Sequence, residues 1–144
     1  MLVESCAIDA GGYRPGMPIR GRSSDQFWGV VLEAPDARVL AQFYVDLLGW
    51  TIEKDETDWV TVAPPSGVAY LAFQTDESYV RPVWPTSGDQ PRMMMHLDVE
   101  VAQLDVAAAD AVAAGATLSN HQPQDDVRVL LDPAGHPFCL YVGQ

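Results

Sequence analysis

Apolar and polar positions along this chain settle into a regular pattern only from Phe27 onward. Alternation over Phe27–Glu33 predicts a strand, and Pro35-Asp36 then opens a helix with Asp36 as its N-cap. Leu40, Phe43, Tyr44, Leu47 and Leu48 recur at three- and four-residue spacing, which places them on one helical face, and Gly49 closes the helix. Strands are predicted at Trp50–Lys54, Trp59–Ala63 and Val68–Gln74. The order then repeats: a strand at Met93–Val99, an alanine-rich helix from Val101 to Ala114 capped by Gly115, and strands at Ala116–Ser119, Asp126–Leu131 and Pro137–Val142.

Gly49-Trp-Thr-Ile52 matches Gly115-Ala-Thr-Leu118, and Ser66-Gly67 matches Ala134-Gly135, at almost the same offset. A near-constant offset with matching element order argues for duplication of one supersecondary unit. The expected organisation is an extension over 1–25 and a single domain over 26–144. Within that domain, module one spans 26–74, a proline-rich linker with Trp84 spans 75–92, and module two spans 93–144.

Composition narrows the function classes. The net charge is -12, yet residues 1–26 balance Glu4, Asp9 and Asp25 against Arg14, Arg20 and Arg22, so the excess lies in the body of the chain. An acidic body repels phosphate backbones and anionic lipid, so neither nucleic acid nor membrane is an expected partner. No segment approaches the ~20 apolar residues of a membrane-spanning helix, and a cytoplasmic location is expected. Cys6 and Cys139 are read as unpaired thiols.

Four segments carry a resemblance: Pro35-Asp-Ala-Arg-Val-Leu-Ala-Gln-Phe-Tyr44 with Leu48-Gly-Trp50, His96-Leu-Asp-Val99, Asp132-Pro-Ala-Gly135, and the ending His136-Pro-Phe-Cys-Leu140. In this order they resemble the glyoxalase/bleomycin-resistance/dioxygenase proteins of the vicinal-oxygen-chelate superfamily, and the glyoxalase-like subgroup among them. The resemblance implies an α+β fold of two tandem βαβββ modules whose mixed sheets curl around a cavity. It also implies a homodimer and a small-molecule ligand. The superfamily includes lyases, isomerases and dioxygenase-like enzymes as well as proteins that sequester drugs.

Members that do chemistry hold a divalent metal with one ligand from the first and last strand of each module. Here those positions fall on Gly29, Leu71, His96 and Cys139. A stable site needs three or four protein donors, so two are too few unless Glu33 or Asp98 swings in. The expectation is no cofactor and no tightly bound metal.

Strand alternation around the implied cavity sends His96, Asp98 and Met94 inward from one strand and Cys139 and Tyr141 from another. From module one it sends Phe27, Val31, Glu33, Trp59, Leu71 and Phe73. His96 is the candidate acid or base, tuned by Asp98 or Glu33, and the remaining positions are candidate substrate contacts. Three readings stay open: an enzyme built on His96, a sequestering protein built on the aromatic positions, or an interaction protein without a ligand. His121 and His136 fall in predicted turns and read as exposed loop residues. Asp125-Asp126 reads as a solvated turn. Ser23-Ser24 and Ser66 lack a His–Asp companion in sequence, and Gly11-Gly12 does not open a phosphate-binding helix.

Overall fold

A computed structural model describes Gly16 and residues 18–143; Cys6 and most of the predicted extension lie outside the described residues. Two units of the same order follow each other. Module one runs β1 (Trp28–Ala34), α1 (Ala37–Leu48), β2 (Thr51–Asp55), β3 (Trp59–Ala63) and β4 (Ala69–Thr75). Module two runs β5 (Leu97–Glu100), α2 (Leu104–Ala114), β6 (Thr117–Leu118), β7 (Val127–Leu131) and β8 (Pro137–Tyr141). Each forms one mixed sheet, ordered β1-β4-β3-β2 and β5-β8-β7-β6, with β1 parallel to β4 and β5 parallel to β8. The fold is α+β, and among the described residues no ladder joins the two sheets.

Helix α1 starts where Asp36, in extended conformation, accepts from the backbone N–H groups of Arg38 and Val39. It ends where Gly49 adopts φ 68, a left-handed conformation that costs glycine nothing. Its apolar stripe is the centre of the core. Leu40, Phe43 and Tyr44 are each at most 3% exposed. Tyr44 stacks on Phe73 of β4 with centroids 5.4 Å apart, and Phe43 meets Phe138 of β8 edge-on at 5.9 Å. The aromatic cluster of α1 therefore packs against both sheets.

Two boundaries differ from expectation by more than two residues. The predicted strand from Met93 begins at Leu97, opposite Phe138. One step earlier the partner would be Pro137, which has no N–H to donate, so the parallel ladder stops there. Met94 and Met95 are left 87% and 70% exposed rather than set on a strand. The second helix begins at Leu104, not Val101: the Val101 amide still extends the sheet to the Tyr141 carbonyl at 2.8 Å, and Gln103 remains extended at φ -139 and ψ 111.

Candidate functional site

Leu97 and Val99 pack against the core, as do their partners Phe138 and Leu140. Alternation then sends His96, Asp98, Cys139 and Tyr141 to the opposite face, as expected from sequence. There they line an open cleft of about 410 Å3 together with Gln124, Asp126 and Val127. His96 Nε2 lies 3.2 Å from Asp98 Oδ1. A ligand atom each from His96, Asp98 and Cys139 fall within 4.8 Å of one another. Asp98 and Cys139 face each other across the parallel ladder, which is what closes the trio. Partial burial pushes the Cys139 thiol up, and the negative charge and hydrogen bond of Asp98 push it further.

Module one does not answer with the residues expected. Leu71 is 6% exposed and Phe73 fully buried, so both belong to the core under α1 and neither lines a cavity. The reason is parity. Val30 pairs with Leu71 and Leu97 pairs with Phe138, and all four pack on the core. His96 thus corresponds to Gly29, and Cys139 to Ala72 rather than Leu71. Core-facing Leu71 lies four residues after Gly67 but core-facing Phe138 only three after Gly135, and a one-residue slip exchanges the faces of a strand. Gly29 is open to no donor either, since a Cβ there would sit 2.6 Å from the ring of Tyr70.

The other expected contacts fall in two further clefts. Phe27, Trp59 and Tyr70 frame one of about 420 Å3, into whose rim the bulge between Ile52 and Lys54 turns Glu53. Val31, Glu33, Trp59 and Met94 border another of about 590 Å3 beside the 79–95 segment. Glu33 is therefore set apart from the trio at His96.

One group of residues was not read from the sequence. Asp132 is fully buried, and its carboxylate accepts from the backbone N–H groups of Ala134 and His136, each at 2.9 Å. Its second oxygen accepts the Tyr44 hydroxyl at 2.9 Å and faces His136 Nδ1 at 2.8 Å. His136 is no exposed loop residue: its side chain is 19% exposed, and it borders the 590 Å3 cleft. Tyr79 completes the cluster, donating to the Ala134 carbonyl at 2.7 Å with its hydroxyl 3.4 Å from His136 Nε2. Burial and the Asp132 charge raise the Tyr79 phenol to about 12. The signal in sequence was an aspartate two residues before Ala134 in a Pro-Gly turn, where a carboxylate commonly caps its own turn.

Paired βαβββ modules with open concave sheets define the vicinal-oxygen-chelate class of folds. The chain belongs to the glyoxalase-like domain family within it, whose model matches residues 29–141. Among solved structures, a glyoxalase/bleomycin resistance protein/dioxygenase family enzyme from Burkholderia phytofirmans PsJN is 21% identical, with a TM-score of 0.59 over 78% of this chain and 94% of that one. A glyoxalase-related enzyme from Fulvimarina pelagi is 19% identical, with a TM-score of 0.60 over 82% and 88%. The fosfomycin resistance protein FosX from Mesorhizobium loti is 10% identical, with a TM-score of 0.58 over 83% and 93%. At these identities the likeness is one of fold. A search of curated proteins finds no match to this chain.

The metal implied by the superfamily requires donors from both modules, and this chain does not supply them. Gly29 and Ala72 stand at the module-one positions, with Tyr70 packed over the first. The three donors that converge, His96, Asp98 and Cys139, all come from module two.

Proposed function

We propose that this protein binds or transforms a small organic molecule on its concave sheet faces, without a tightly held metal. The observation that carries the reading is the convergence of His96, Asp98 and Cys139 in one open cleft. His96 is the proton-transfer group, and Asp98 at 3.2 Å orients its ring and offsets the charge when it is protonated. Tyr141 on the same strand face lends an aromatic wall. A thermal-shift ligand screen on wild type and His96→Ala, followed by turnover assays on each hit, tests this. Binding that survives the substitution while turnover disappears is expected; a hit whose binding and turnover both survive would sink it.

A second reading has its own support. The cleft framed by Phe27, Trp59 and Tyr70 is aromatic, with Glu53 at its edge and a net charge of -12 around it. Such a wall suits sequestration of an aromatic cation without catalysis. Trp59→Ala would then weaken binding more than His96→Ala, which reverses the order expected for an enzyme.

We also propose a homodimer in the cytoplasm. Trp28, Val31, Met94 and Met95 are exposed by 45 to 87% and lie at or beside the open sheets. A second copy covers this apolar surface and completes the clefts. Light scattering should give twice 15.7 kDa, and a concentration-independent monomer overturns the proposal. Among the described residues no helix is long and apolar enough to cross a membrane.

A further inference from the structure

We infer that His136, held by Asp132, is a general base facing the 590 Å3 cleft, and that this cleft takes a small, largely apolar molecule carrying an acidic C–H or O–H. The inference goes beyond the His96 cleft and stands on separate residues.

Hydrogen-bond bookkeeping fixes the ring. An ionised carboxylate only accepts, so the 2.8 Å contact between Asp132 Oδ2 and His136 Nδ1 requires the hydrogen on Nδ1. Nε2 is then the lone-pair nitrogen of the neutral ring. Tyr79, the nearest hydroxyl, has already given its hydrogen to the Ala134 carbonyl at 2.7 Å, so at 3.4 Å it offers Nε2 no proton. Among the described residues the basic nitrogen is left without a donor, and its ring borders the cleft.

Asp132 is over-determined for a turn cap alone. Four donors hold it, from the turn itself, from Tyr44 on α1 and from the imidazole. A fully buried carboxylate so fixed orients the ring and stabilises the imidazolium that forms when Nε2 accepts a proton. The cleft wall opposite is apolar, with Val31, Leu32, Trp59 and Met94. Glu33 and Arg92 on its border supply one charge of each sign to orient a polar end.

The test uses 5-nitrobenzisoxazole, an apolar probe with one acidic C–H. The base takes the proton, the C–H electron pair closes a nitrile, and the N–O bond breaks to release a coloured phenolate; water then carries the proton away. Purified wild-type protein should turn the probe over about a hundredfold faster than His136→Gln, the scale of general-base catalysis. His121→Gln, outside this cleft, should keep the wild-type rate, which separates loss of this base from loss of a histidine elsewhere. Equal rates in wild type and His136→Gln, or an equal loss with His121→Gln, overturn the inference. Ring nitrogen NMR on the unmodified protein is the second measurement, since it does not depend on a variant folding. His136 should carry its hydrogen on Nδ1, and a ring protonated on Nε2 alone rejects the assignment. Asp132 is a positioning residue, so Asp132→Asn should shift that tautomer as well as slow the probe.

Discussion

The two modules share an element order and divide the work. Module one has the deeper core: α1 buries Ala37, Leu40, Ala41, Phe43 and Tyr44, whereas α2 buries only Ala108 and Ala111. Module two has the ionisable groups: the sheet face away from the core carries His96, Asp98 and Cys139 where module one has Gly29, Val31 and Ala72. Capping follows the same division. Asp36 accepts two backbone N–H groups at the start of α1, while Gln103 makes no side-chain bond at the start of α2.

The largest test of this contrast is Phe73→Ala. If Phe73 is core, its removal should cost about 3–5 kcal/mol of unfolding free energy, measured by chemical denaturation. A cost below about 1 kcal/mol would return Phe73 to a cavity wall and erase the parity correction. Tyr44→Phe comes next. It strips one donor from the buried Asp132 carboxylate, for a loss of about 1–3 kcal/mol with little change in packing.

Caps give a smaller effect with a built-in control. Asp36→Ala should cost about 1 kcal/mol, Gln103→Ala close to nothing, and Gln103→Asp should stabilise α2. Equal losses at the two caps would remove the asymmetry between the helices. Smallest is the thiol. Cys139 should alkylate more slowly with iodoacetamide at neutral pH than an exposed thiol, and Asp98→Asn should speed it severalfold. Because the folded thiol is raised, its contribution to stability is intact below the unfolded value and lost as pH climbs through the folded one.

Much of this was legible in the chain because local signals agreed. Asp36, the Leu40–Phe43–Tyr44 stripe and Gly49 fix α1 independently of anything distant, and the strand alternation that joined His96 to Asp98 and Cys139 to Tyr141 needed no partner. What failed was non-local or a matter of register. Carrying the face of Cys139 onto Leu71 through the two glycines assumed the same spacing from glycine to core-facing residue, and a difference of one reversed the result. The start of β5 depended on which residue of β8 lay opposite, which the 93–99 segment does not encode. Asp132 and His136 were hidden because Tyr44, the partner of Asp132, is 88 residues away, Tyr79 beside His136 is 57 away, and the turn by itself has the composition of a surface loop.

The bond from Tyr44 to Asp132 also bears on cooperativity. One carboxylate answers to donors from both repeats, and pulling the repeats apart would strand it in an apolar interior. Tandem modules of this kind are thereby made into one folding unit rather than two beads joined by a linker. Native-state hydrogen exchange should show the amides of β4 and β8 opening together at a single free energy, and Tyr44→Phe should let them separate.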